Sequence, residues 1–232
     1  LSVTALGDLA GGRPVLRSGA RPGDVIAVAG SLGHAAAGLA LLMAGVARAP
    51  EASSPPGALP SLVAAQLRPA PPYDAGPEAA RLGATAMIDV SDGLRADLGH
   101  VAAGSGVHVN VHAARLAPGT ALREAAAALS AAAPSSRTNA AYSPPPVPQE
   151  GTTATRRNTA TRREVSPADA TLTAMGLEWV LTGGEDHALV AAFPPEAALP
   201  VRWRVIGEVR PGAGVTVDGA PHEGPVGWQH FA

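Results

Sequence analysis

The sequence predicts an α/β (α+β) protein, a layered mixed sheet flanked by helices and interrupted by one disordered insert. Three observations carry this. Apolar runs of strand length, such as Val25 to Ala29 and Thr85 to Val90, alternate with longer runs of helical character, such as His34 to Val46. Gly, Pro and Asp punctuate the boundaries between them. One stretch, Pro134 to Asp169, leaves the pattern altogether: it is Ser, Thr, Pro and Arg with almost no aliphatic residue.

Taken in order, Leu1 to Leu6 alternates weakly and reads as a strand. The chain opens there without Met, so a preceding segment is expected. Arg21-Pro22-Gly23-Asp24 is a turn, and Val25 to Ala29 is a short buried strand. Gly30-Ser31-Leu32-Gly33 is a strand-to-helix turn, with Ser31 the expected N-cap of a helix from His34 to Val46. Pro50 to Pro60 is a proline-rich loop. Leu62 to Leu67 and Glu78 to Leu82 read as short helices, and Thr85 to Val90 as a strand. Ser91 is the expected cap of a helix whose Leu94, Leu98 and Val101 share a face, stopped by Gly104 and Gly106.

Val107, Val109 and Val111 alternate with His108, Asn110 and His112, the pattern of a half-buried strand. Ala121 to Ala133 is an alanine-rich helix. Pro134 to Asp169 holds too little apolar surface to offset the entropy of ordering it. Order is expected to return at Leu177, with strands at Glu178 to Leu181, Ala188 to Phe193, Trp203 to Val209 and a short one at Val215 to Val217 that ends in the turn Asp218-Gly219. The expected organisation is one domain in two parts, residues 1–133 and 170–232, divided by the insert at 134–169.

Composition narrows the chemistry. The net charge is −2 and aromatics are 3% of the chain, which argues against nucleic acid as a main partner. No apolar run is long enough to span a bilayer. Cysteine is absent, which excludes disulfides and thiolate chemistry and fits a cytoplasmic location. Lysine is absent too; all 17 basic residues are arginine. Any handling of ATP must therefore proceed without the lysine of a P-loop or of a protein kinase.

Two acidic loops carry the functional signal. The first is Asp89-Val90-Ser91-Asp92-Gly93-Leu94 and the second Gly183-Gly184-Glu185-Asp186-His187. Asp89 and Asp92 flank a strand-to-helix turn, so both carboxylates can leave one end of the sheet. Such a pair, with the Ser91 hydroxyl, suits Mg²⁺, which takes few protein carboxylates and fills its shell with water and substrate phosphate. The helix start after Ser91 would favour the same phosphate. The plainer alternative makes Ser91 and Asp92 capping residues with no metal. An EF-hand is excluded, because the sixth and twelfth positions counted from Asp89 are Leu94 and His100. Glu185 could accept a hydrogen bond from a substrate amino group, hold a metal, or sit in a solvated turn. His187 has no acid or nucleophile placed to make it a base. His108 and His112 lie roughly 13 Å apart along a strand, too far for one ion.

Together these residues resemble the C-terminal part of bacterial thiamine-monophosphate kinase, of the PurM-like superfamily. The resemblance runs through Leu16-Arg17-Ser18-Gly19-Ala20-Arg21-Pro22-Gly23-Asp24, Gly38-Leu39-Ala40, Arg68-Pro69 to Pro72-Tyr73, Asp89 to Leu94 with Asp97-Leu98, Gly183 to Asp186, and Gly227-Trp228. Leu177 to Ala191 resembles actinobacterial members in particular. The resemblance implies a PurM C-terminal-domain-like fold and Mg²⁺-assisted transfer of the ATP γ-phosphate directly onto thiamine monophosphate. It implies Asp89 and Asp92 as Mg²⁺ ligands, Arg17 and Ser91 as ATP contacts, and Glu185 and Trp228 as contacts to thiamine monophosphate, with no catalytic residue beyond these. It also implies a preceding domain, bearing further Mg²⁺-binding aspartates and the surface of a homodimer, which this chain lacks. Two rival classes remain: another PurM-like ATP-using enzyme, of the aminoimidazole-ribotide synthetase or hydrogenase-maturation type, and a non-catalytic ligand-binding fragment.

Overall fold

Strand β1 (Val25–Ala29) and strand β4 (Ala188–Phe193) are the most apolar segments of the chain, and they lie side by side inside a six-stranded sheet. The computed structural model describes residues 4, 6–9, 11–50, 57–133, 166–224 and 227. The remaining strands are β2 (Ala86–Val90), β3 (His108–Val111), β5 (Arg204–Arg210) and β6 (Gly214–Val217), and the sheet order is β2-β4-β1-β5-β3-β6. Every pairing is antiparallel except β3 with β6. Continuous apolar sequence suits β1 and β4 because both faces of the central sheet are covered.

The helices are α1 (His34–Met43), α2 (Ala58–Leu67), α3 (Ala75–Arg81), α4 (Leu94–Ser105), α5 (Thr120–Ala132) and α6 (Pro167–Thr182). The main core lies between one sheet face and the helices α1, α2, α4, α5 and α6. It takes Ile26 and Val28 from β1 together with Leu41, Leu62, Leu94, Leu98, Leu122 and Leu181. The opposite face takes the small residues Ala27, Ala29 and Ala191, over which Phe193, Trp203 and α3 close. Alternation along β1 thus sends larger side chains to the thick layer and alanines to the thin one. Phe193 and Trp203 meet edge to face at 5.0 Å, and the Trp203 indole N–H donates to Glu78 of α3 at 2.8 Å.

The expected α/β class and six of the expected strands are found. So is the turn at Arg21–Asp24, closed by the Arg21 N–H on the Asp24 carboxylate at 2.9 Å. Several expectations are corrected. Glu178 to Leu181 is the last turn of α6 and not a strand. The helix begins at Pro167, well before Leu177, so residues 167–169 belong to it and not to the insert. Its start is a local signal: Ser166 Oγ accepts from the Asp169 N–H at 3.1 Å and Pro167 fills the first turn.

The N-cap of α1 is Gly33, not Ser31, and that of α4 is Gly93, not Ser91. Gly33 is left-handed (φ 79°), and a Cβ there would stand 2.9 Å from the Trp179 carbonyl carbon, so α6 can cross only a glycine. The β3 strand is more than half buried. Asn110 lies inside, where its Oδ1 accepts from Thr216 Oγ1 at 2.9 Å and from the Gly219 N–H at 2.7 Å. The strand expected at residues 1–6 is not present at residues 4 and 6, and the rest of it lies outside the described residues, as do residues 51–56, residues 134–165 of the expected insert, and Trp228. No helix among the described residues is long and apolar enough to cross a membrane.

Candidate functional site

Strand β2 ends at Val90, and Ser91-Asp92-Gly93 turns the chain into α4. One residue holds this turn. Asp97, buried in the first turns of α4, folds its carboxylate back so that one oxygen accepts the N–H groups of Ser91, Asp92 and Gly93 at 3.1, 3.1 and 3.2 Å. Burial pushes its carboxyl above the usual range, and the nearby charges of Asp92 and Asp89 push the same way. The N–H groups expected to favour a phosphate are therefore already taken, and the anion at this helix start is Asp97.

The second loop joins α6 to β4 and is laid against the first. Glu185 N–H donates to the Ser91 carbonyl at 2.8 Å, and His187 N–H to the Val90 carbonyl at 2.9 Å. Both Glu185 (φ 67°) and His187 (φ 50°) sit in the left-handed region, where a side chain other than glycine's is strained. That conformation sets the His187 ring between two acids, with Nδ1 3.8 Å from Asp89 Oδ2 and Nε2 3.4 Å from Glu185 Oε2. Asp186 turns the other way. Its carboxylate accepts the N–H groups of Gly33 and, at 2.9 Å, Ala35, and so caps α1. Burial nonetheless raises its pKa to about 6.

The structure thus brings Asp89 and Glu185 together across His187, a residue to which sequence reading gave no role. Asp89 is exposed and Asp92 half-buried beside it in the same turn. Ser91 is half-buried, with its carbonyl engaged by the second loop. Arg17 lies on an exposed segment that runs along β2, where the Leu16 carbonyl accepts the Met87 N–H at 3.0 Å. No hydrogen bond or ion pair among the described residues joins Arg17 to the acids. Gly227 rests on the first loop, and a Cβ there would stand 2.5 Å from the Asp92 carbonyl oxygen.

Among the described residues no group of three or more His, Asp or Glu side chains is arranged to hold a metal ion. The donor set still fits Mg²⁺. Asp89 and Asp92 are carboxylates at the surface, and this ion binds through one or two carboxylates plus water and phosphate rather than in a protein cage.

Comparison with known proteins gives a consistent picture. No family model matches the chain. It is 44% identical to the thiamine-monophosphate kinase of Mycobacterium tuberculosis over 235 residues, covering 100% of this chain and 54% of that protein. It is 34% identical to the thiamine-monophosphate kinase of Corynebacterium glutamicum, covering 100% of this chain and 56% of that one. The solved structure of AaThiL complexed with AMPPCP and TMP superposes with a TM-score of 0.64 at 28% identity, covering 94% of this chain and 54% of the other. The chain spans about half the length of the curated relatives it matches.

Proposed function

The chain is a relative of the thiamine-monophosphate kinases, aligned with them along its whole length, and from that premise we propose that it carries the acidic side of a site where ATP passes its γ-phosphate directly to thiamine monophosphate. The observation that carries the reading is the backbone join between the two loops, Glu185 N–H to Ser91 and His187 N–H to Val90, which puts Asp89 and Glu185 on either side of one ring. The binding of AMPPCP and TMP by a structurally similar protein supports ATP and thiamine monophosphate as the ligands.

In this reading Asp89 and Asp92 hold Mg²⁺, which when bound would offset the charge of the polyphosphate. Ser91 and Arg17 contact ATP. Glu185 accepts a hydrogen bond from the substrate's amino group, and Trp228 offers a flat face to its cationic ring. Asp97 holds the loop that presents Asp89 and Asp92. Direct phosphoryl transfer is achieved mainly by positioning and charge stabilisation, so no side chain is assigned as acid or base. Residues 1–133 and 166–232 form one domain around an insert at 134–165. A preceding domain supplies further aspartates and a homodimer surface, and the enzyme is cytoplasmic. The test is ADP release by the full-length protein. Release that requires both thiamine monophosphate and Mg²⁺ is expected; release indifferent to thiamine monophosphate would overturn the reading.

A further inference from the structure

The sheet end that carries the acidic loops has a second half of opposite charge. Val90 of β2 pairs with Ala188 of β4, Leu189 with Ala29 of β1, and Val28 with Arg204 of β5. Four strand ends therefore stand in a row, with the acids at β2 and Arg204 at β5. The two strands are three sheet spacings apart, about 14 Å, so Arg204 serves a different place from Asp89. Two cavities adjoin there and share Gly30, Ser31 and His34. The smaller, about 250 Å³, is also lined by Arg204, Leu116 and Ala117. The larger, about 470 Å³, is walled mainly by small apolar residues, among them Ala64, Ala65 and Pro72.

Arg204 differs from the arginines on either side of it. Arg202 pairs with Asp74 at 2.6 Å, and Arg210 pairs with Glu208. Among the described residues, the Arg204 side chain makes no hydrogen bond or ion pair. Part of it stays open to solvent, yet the surrounding atoms take enough water from its guanidinium to lower its pKa. No Asp or Glu among the described residues lines the smaller cavity. Burial lowers the pKa of His34, which leaves that ring neutral near neutral pH and makes Arg204 the cation of the cavity. A guanidinium that loses water without gaining a carboxylate is unfavourable by itself. A bound anion would compensate it, and the planar fork of arginine suits two phosphate oxygens.

We infer that the chain has a binding subsite for a phosphate monoester at the β5 side of this sheet end, apart from the acidic loops. Arg204 takes the phosphate in the smaller cavity, beside the Ser31 hydroxyl and the His34 ring. The organic part extends past Ser31 into the larger cavity, whose alanine and proline walls offer it apolar surface. The orientation follows from charge. Arg68 shares the larger cavity with the Asp186 carboxylate, whereas Arg204 has its cavity free of acids, so the phosphate goes to Arg204. Binding there requires neither Mg²⁺ nor turnover.

The test follows phenyl phosphate by phosphorus NMR line broadening with the full-length protein in EDTA, which removes any metal-held phosphate. Wild type should bind phenyl phosphate, and orthophosphate more weakly. Arg204→Gln should weaken phenyl phosphate binding about tenfold. Arg204→Lys keeps the charge without the fork and should fall between. Ala117→Glu, at an exposed position on the cavity wall, brings in a carboxylate and should abolish the broadening. Arg68→Gln should have little effect. Tm should stay near that of wild type throughout, and if Arg204→Gln does not fold, Ala117→Glu decides. The inference is overturned by absent binding in wild type, by wild-type binding in Arg204→Gln or Ala117→Glu, or by a loss in Arg68→Gln that Arg204→Gln does not share. Orthophosphate bound as tightly as phenyl phosphate overturns it as well, because the larger cavity would then hold no part of the ligand.

Discussion

The side-chain carboxylate of Asp186 accepts the backbone N–H of Gly33, a contact between residues 153 positions apart. The second acidic loop is thereby fixed to the start of α1 as well as to β2, and its three consecutive polar residues have three different tasks. Glu185 faces the proposed site, Asp186 caps a helix, and His187 bridges to Asp89.

Asp186 should make stability depend on pH. Its pKa rises from 3.8 to about 6 because burial disfavours the anion more than the helix N–H groups favour it. Between those values the unfolded chain has released a proton that the folded chain still holds. The contribution of Asp186 to stability should therefore fall as pH rises from about 4 to about 6, by at most about 3 kcal/mol, and be level on either side. Asp186→Asn should flatten this step while keeping an oxygen for the cap. Urea unfolding of both proteins across that range is the measurement, and an identical slope in the variant would refute the assignment.

Asp97→Ala should be costly. It strands three N–H donors that share one buried carboxylate, and the loss should be about 2–4 kcal/mol. Asp97→Asn keeps an acceptor and should lose less. Chemical denaturation gives both values; equal losses would mean that the acceptor is not what holds the turn.

Asp89→Asn and Asp92→Asn should separate chemistry from folding. Asp89 is exposed, and among the described residues its side chain makes no hydrogen bond and only the 3.8 Å contact with His187, so Tm should barely move. Turnover of the full-length enzyme should drop by orders of magnitude, because metal charge stabilisation is worth several kcal/mol. Near-normal turnover of both variants at low Mg²⁺ would remove them from the proposed metal site.

Ligand affinities should divide by residue. Glu185→Gln and Trp228→Ala should weaken binding of thiamine monophosphate and spare ATP, with the aromatic face contributing roughly 0.5–2 kcal/mol. Arg17→Ala should do the reverse. Calorimetric titration of each ligand separately decides the matter, and a Trp228 variant that loses ATP instead would invert the division.

The sheet strands were legible because apolar runs of five or six residues bounded by Gly, Pro or Asp leave little choice of structure, as at Val25–Ala29 and Ala188–Phe193. The first acidic loop was legible because its carboxylates follow such a strand. What escaped was decided by partners remote in sequence. Glu178 to Leu181 looks like a strand on its own, and only Ser166 and Pro167, a dozen positions earlier, commit it to a helix. Ser91 has the chemistry of a cap, yet Asp97 provides the acceptor from inside α4. The roles of Asp186 and His187 depend on Gly33 and Asp89, which no local pattern connects to them.

The order β2-β4-β1-β5-β3-β6 has a consequence for how the molecule comes into being. Each of its five ladders joins a strand that ends before residue 112 to one that begins after residue 187. Early and late strands alternate across the whole sheet like the teeth of a closed zip. When residue 187 has left the ribosome, three of the six described strands have been made, and none of them can pair with another in the native register. The sheet must then close after β4 emerges, and the proposed site, whose second loop immediately precedes β4, is assembled in the same event. A chain cut anywhere between residues 134 and 165 divides into two pieces, each holding alternate strands and no native ladder of its own. Each piece alone is a set of unpaired edges, and only the two together make a sheet.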